Sequence, residues 1–161
     1  MSRLQKVDHS ALRTNQAVII ALSVLAYIFE LPLMAGFVGL VMAVGTLLKQ
    51  PGFGVVYRMV LKPLGVLRPA LVEDNPEPHR FAQGFGAAVT LSGALALLTG
   101  FDLLGWSLVW LVIALAGLNL FAGFCVGCAM YYWLNRMHVP GFSRSAPPGI
   151  KPGMRPNVEE K

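Results

Sequence analysis

Cys125 and Cys128 are the only thiols in the chain, and they sit in the run Gly123-Phe-Cys-Val-Gly-Cys128. A Cys-x-x-Cys pair admits three roles. As a redox site it exchanges with other disulfides, and it works best at a helix N-terminus, where the dipole favours the thiolate. As metal ligands the two sulfurs are too few for a tetrahedral centre, so His9, His79 or His138 would have to complete the set. As packing residues, small Gly and Cys side chains let helices approach closely. The spacing alone leaves all three open.

The elements that must position the pair are read from where charge is missing. No Lys or Arg lies between residues 14 and 48, nor between 81 and 135, and each gap contains a single acid, Glu30 and Asp102 respectively. A bilayer core about 30 Å thick needs roughly 20 apolar helical residues, so each gap is long enough for two crossings. With 55% hydrophobic and 13% charged residues and a mean hydropathy of +0.61, the composition is that of a membrane protein. The predicted fold is all-α, with four transmembrane helices near 15–29, 32–48, 82–98 and 103–128, arranged as two hairpins. This divides the chain into an N-terminal segment 1–14, a membrane domain 15–137 with a middle loop at 49–81, and a tail 138–161.

Orientation follows from the basic residues. Arg3, Lys6 and Arg13 precede the first hairpin; Lys49, Arg58, Lys62, Arg68 and Arg80 lie between the hairpins; Arg136, Arg144, Lys151, Arg155 and Lys161 follow the second. All fall on one side of the four crossings, and Lys and Arg accumulate on the cytoplasmic side. Both termini and the middle loop are thus predicted to be cytoplasmic, and the net charge of +5 reports topology rather than nucleic-acid binding. The first apolar segment runs straight into the second without a small-residue cleavage pattern, so it is expected to remain in the mature protein.

On this map Cys125 lies about 33 Å along its helix from Leu103, near the cytoplasmic boundary. A reducing compartment predicts a resting dithiol. Whether the helix runs through Gly123 or breaks there, starting a new turn at Cys125, is open. Asn119 is the deepest polar residue, while Asn15, Gln16, Arg80 and Gln83 stand at the cytoplasmic helix entries. Capping and hydrogen bonding between helices are the expected roles of these polar groups. No charged side chain falls at mid-bilayer, which argues against a pump or an ion-coupled transporter.

The two hairpins read as diverged, parallel copies. Arg13-Thr-Asn-Gln16 and Arg80-Phe-Ala-Gln83 both give Arg-x-x-Gln at the entry, and Gly52-Phe53-Gly54 can be laid on Gly123-Phe124-Cys125. Small residues at four-residue spacing (Ala35, Gly39, Ala43; Gly84, Ala88, Ser92, Ala96; Gly123, Gly127) predict close helix packing. Residues 55–62 form a short amphipathic stretch suited to the inner leaflet. Beyond Val139 the composition is that of a disordered cytoplasmic extension.

Three stretches, Val7-Asp8-His9 with Arg13-Thr-Asn-Gln16, Leu71-Val-Glu-Asp74 with His79-Arg80-Phe-Ala-Gln83-Gly84, and Asn119-Leu-Phe-Ala-Gly-Phe-Cys125-Val-Gly-Cys128, resemble a family of bacterial membrane proteins named domain of unknown function 4395. The resemblance covers everything but the tail. It implies a bacterial inner-membrane protein and directs attention to Cys125 and Cys128, but it brings no cofactor or substrate. The leading expectation is thiol redox or sulfur handling at the inner face, with the lipid bilayer and a cytoplasmic thiol or sulfur-carrier protein as partners. The competing one is a non-catalytic membrane module that packs against a partner; a metal-binding membrane protein comes third. The topology is checked by placing single cysteines beside Glu30 and Asp102. An impermeant reagent should label them only from outside, and labelling from the cytoplasmic side would invert the orientation.

Overall fold

A computed structural model describes residues 5–65, 69–146 and 149–155. Arg3, Arg68 and Lys161, used in the charge map, lie outside the described residues. The chain begins with a strand, β1 (Gln5–Asp8), and runs into α1 (His9–Ile28) and α2 (Pro32–Leu47). A three-residue helix α3 (Gly54–Val56) continues as a π-helical turn (Tyr57–Leu61). Then β2 (Leu71–Asp74), α4 (Pro76–Leu98), α5 (Asp102–Ala122) and α6 (Val126–Arg136) follow. Of these, α1, α4 and α5 are long and apolar enough to cross a membrane, and α2 is a shorter apolar helix. At 16 residues α2 spans about 24 Å.

The fold is not purely helical. β1 and β2 pair antiparallel, with Gln5 opposite Asp74 and Asp8 opposite Leu71. Each strand sits just ahead of a hairpin, where the backbone leaves the apolar tract and needs partners of its own. Two helices also start earlier than hydropathy predicts. Asp8 caps α1 by accepting the Ser10 N–H at 3.0 Å, and Pro76 occupies the first position of α4, where its missing N–H costs nothing. The largest departure is in the fourth apolar segment, which stops at Ala122. Gly123 adopts the left-handed conformation (φ 67°), and a separate helix, α6, begins three residues later.

The bundle wears its apolar side chains outward: Leu33, Leu47, Leu103 and Phe121 are all at least three-quarters exposed. Such an inside-out surface suits lipid contact. The interior is filled by small and branched residues in two clusters. One joins Ile19, Val38, Met42, Phe53, Ala87 and Val112; the other joins Ala26, Ala35, Ala94, Val109 and Ile113. Close approach is literal at Gly39, where an added Cβ would lie 2.9 Å from Leu91 Cγ, and at Gly105, where it would lie 2.8 Å from the Gly93 carbonyl. On α4 the expected stripe is only partly right. Gly84 meets Thr46 and Ala96 is buried, but Ala88 and Ser92 face outward, and Ala87, Thr90, Gly93 and Ala94 form the packed face. Hydrophobic and small residues alternate so densely here that four-residue spacing alone misplaces the face by one position.

α2 packs on α4 and α5 packs on α1. At the end of the first hairpin, Gln83 of α4 reaches into the bend after α2. Its Nε2 donates to the Met42 carbonyl (3.0 Å), Thr46 Oγ1 (3.3 Å) and the Gln50 carbonyl (3.2 Å). Its Oε1 accepts from the Gly52 N–H and from Asn15 Nδ2, both at 3.4 Å. Asn15 Oδ1 in turn accepts the Phe53 N–H at 2.8 Å, and the Arg80 guanidinium reaches the Thr46 carbonyl at 3.5 Å. The hub fixes the short α2 to both α1 and α4.

Gln16 heads the other half, and its Oε1 is buried without a hydrogen-bond partner. The two glutamines should therefore differ in thermal unfolding in detergent. Gln83→Leu is expected to destabilise by about 1–3 kcal/mol through the buried groups it strands, while Gln16→Leu should be neutral or stabilising.

Candidate functional site

The break at Gly123 determines what the cysteines can do. With α5 ended, Cys125 takes an extended conformation (φ −94°, ψ 103°) and becomes the N-cap of α6, its Sγ accepting the Cys128 N–H at 3.2 Å. Of the two possibilities left open by the spacing, the broken helix is the one adopted. Negative charge on Cys125 Sγ is then favoured by the helix dipole and by the N–H aimed at it.

The two sulfurs are joined as a disulfide, where the compartment argument predicted a dithiol. The cap geometry accounts for the bond, since it sets the Cα atoms 5.2 Å apart, inside the range a disulfide spans.

Cys128 faces a buried polar chain. His79 Nδ1 lies 3.5 Å from Cys128 Sγ, and His79 Nε2 lies 2.8 Å from Asp74 Oδ2. His9 Nε2 approaches the same oxygen at 3.3 Å, though not along a hydrogen-bond direction, and the two imidazoles meet edge to face at 5.8 Å. Asp74 Oδ1 accepts the Asn75 N–H at 2.7 Å. Burial pushes the Asp74 carboxyl up, but the imidazoles of His79 and His9 and the Asn75 N–H outweigh it and hold the group well below the usual carboxylate range. Asp74 is thus a standing negative charge that fixes His79. With Nε2–H donated to Asp74, Nδ1 presents its lone pair to the sulfur.

The elements that bring these groups together are the ones hydropathy could not see. β1 and β2 fix the start of α1 against the start of β2, the His9 N–H donating to the Ala70 carbonyl at 2.9 Å, and from there the His9 side chain comes within 3.3 Å of Asp74 Oδ2. His79 stands on the first turn of α4, and α6 packs on α4 closely enough that a Cβ on Gly127 would lie 2.6 Å from Ala82 Cβ. Sequence reading named Cys125, Cys128, His9 and His79 but not Asp74. The usable signal was a carboxylate five residues before His79 in a chain with few acids. His138 is exposed and lies outside the cluster. His79, Cys125 and Cys128 offer three ligand atoms within 4.8 Å of one another, as do His9, Asp74 and His79. Only with the disulfide open would the sulfurs serve as metal ligands.

Residues of the segment whose composition predicts disorder cross directly over the pair. The Cys125 N–H donates to the Gly153 carbonyl (2.8 Å), the Arg155 N–H to the Gly123 carbonyl (2.9 Å), and the Arg155 guanidinium to the Asn119 carbonyl (2.9 Å). Gly153 has φ +85°, and a Cβ there would lie 2.9 Å from the Cys125 carbonyl and 2.8 Å from Ala129 Cβ. Under this strap Cys125 is 6% and Cys128 3% exposed.

Two chambers adjoin the disulfide. A water-sized one of about 20 Å³ touches Cys125, Cys128, His9, Asp74 and His79. A second, of about 110 Å³, is mainly apolar and extends between α1, α4 and α5. Leu12, Gln16, His79 and Asn119 line both. Of the polar residues singled out in the sequence, Gln16 and Asn119 line both chambers, Asn15 and Gln83 line the larger one from the side of the hub, and Arg80 lines neither.

The model of the family described as Domain of unknown function (DUF4395) matches residues 7–136, a stretch that includes His9, Asp74, His79, Cys125 and Cys128. No curated protein and no solved structure is significantly similar to the chain. The match takes in the end of β1, all of β2 and the helices α1 to α6 up to Arg136, and the chain belongs to the DUF4395 family.

Proposed function

We propose that the protein is a four-span membrane thiol–disulfide exchange protein, with both termini and the Cys125–Cys128 pair on the cytoplasmic side of the cell membrane. The observation that carries the exchange reading is the chain Cys125, Cys128, His79, Asp74, in which a disulfide at a helix N-terminus meets an imidazole oriented by a carboxylate. The orientation rests on the one-sided distribution of Lys and Arg. The proposed partner is a dithiol or sulfur-carrying protein that docks at the strap.

A partner thiolate attacks the sulfur of Cys125, forming a mixed disulfide and releasing Cys128 as the thiolate. His79 lies at the distance to return a proton to it. A second partner thiolate then attacks the partner's own sulfur in the mixed disulfide. Cys125 leaves as a thiolate, the partner becomes a disulfide, and the dithiol remains. In reverse, His79 Nδ1 takes the Cys128 S–H proton as that sulfur attacks the mixed disulfide.

Cys128→Ser should leave the Cys125 thiolate able to attack the disulfide form of a partner, one partner sulfur leaving as thiolate, with no Cys128 to resolve the product, so a mixed disulfide through Cys125 should accumulate in membranes. If Cys125 in this variant forms no mixed disulfide and resists alkylation at neutral pH, the pair is a packing element and the exchange reading fails. The strap adds a second measurement. Gly153→Val cannot keep either the positive φ or the 2.9 Å approach to Cys125, so alkylation of the reduced pair should rise by about tenfold or more, as expected for an opening that costs over ~1.4 kcal/mol less.

A further inference from the structure

We propose that the larger chamber binds the head of a lipid-soluble quinone and that the Cys125–Cys128 dithiol delivers its electrons there, an inference that rests on the exchange reading above. The internal repeat supplies the first observation. Gln16 in the first Arg-x-x-Gln is matched by Gln83 in the second and both line the chamber, yet the Gln83 amide is saturated while Gln16 Oε1 is buried and unpartnered. The unpartnered amide oxygen belongs to Gln16, which stands where the chamber meets the smaller space under the disulfide.

The second observation is what lines that space. Ile19, Val89, Val112 and Ala116 make its walls, while Gln16, Asn119 and His79 stand where it meets the small chamber under the disulfide. Its volume of about 110 Å³ is of the order of the ~150 Å³ apolar cavity known to admit benzene. Phe85 and Met130 at its margin are 41% and 39% exposed, so the chamber can be reached from the outer, lipid-facing surface of the bundle. A ring with an apolar tail fits such a path. Carboxamides suit its two redox states, because an amide donates to a quinone carbonyl and accepts from a hydroquinone hydroxyl.

The step balances within the site. Cys125 and Cys128 give two electrons and two protons; two S–H bonds break, one S–S bond forms, and the quinone gains two O–H bonds as hydroquinone. His79 passes the Cys128 proton toward the neck. A partner dithiol then reopens the disulfide by exchange.

The test uses the full chain, reduced, in lipid nanodiscs without oxygen, with a short-chain ubiquinone analogue as the probe. One hydroquinone per protein should form as both thiols disappear. Gln16→Leu, which removes the head's partner, and Ala116→Phe, which fills the chamber, should each slow this by about tenfold while diamide still closes the disulfide. If the wild-type dithiol ignores quinone yet closes with diamide and exchanges with small dithiols, the quinone inference falls and the exchange reading stands. If both variants react as fast as wild type, the chamber is not the site and the inference falls as well. If the pair neither closes nor exchanges, both readings fall together.

Discussion

Irregular backbone inside a packed bundle survives only if its N–H and C=O groups find partners, and the break at Gly123 is where this chain meets that constraint. Ending α5 there strips its last carbonyls and the first amides of α6 of helical partners. The strap supplies them: Arg155 takes the Asn119 and Gly123 carbonyls, and Gly153 takes the Cys125 N–H. Without that satisfaction α5 would gain by running on through the cysteines. The pair would then sit at the negative end of a long helix, a poor place for a thiolate. The N-cap position of Cys125, the short Cα separation to Cys128 and the approach of His79 all follow from the interruption.

The two halves of the bundle solve the same structural problem differently. After α2 the chain turns at Gly52, and Gln83 and Asn15 tie that turn down by hydrogen bonds to its backbone. After α5 the turn occurs at Gly123, and the gap holds a disulfide and two chambers. Pairing of β1 with β2 ties the two hairpins at their entrances, and it is there that His9 from one and Asp74 with His79 from the other converge.

Hydropathy made the apolar bundle legible because the energy of burying side chains in lipid is large, local and additive along the sequence. The cysteine pair and the four-residue packing intervals were legible for similar reasons, although the packed face of α4 was missed by one position. What lay hidden depends on distant partners. β1 and β2 are four residues each and lie more than sixty residues apart in sequence. Asp74 fell in the middle loop with no role assigned, because the imidazoles that pair with it come from residues 9 and 79. The contacts of residues 151–155 were invisible because Gly and Pro report chain flexibility, not the carbonyl groups that a helix break needs. The broken helix itself was foreseen as a branch, and only tertiary partners select it.

The pairing of β1 with β2 also orders the birth of the molecule. β1 precedes its partner by more than sixty residues, and the whole of α1 and α2 lies between them. The strand pair thus closes a long loop and cannot form until α1 and α2 have been made. His9 must wait for Asp74, and the cysteines are made before the residues 151–155 that cover them. The thiols consequently emerge into a nearly finished bundle, and until residue 153 is made they remain uncovered, accessible to whatever first sets their oxidation state.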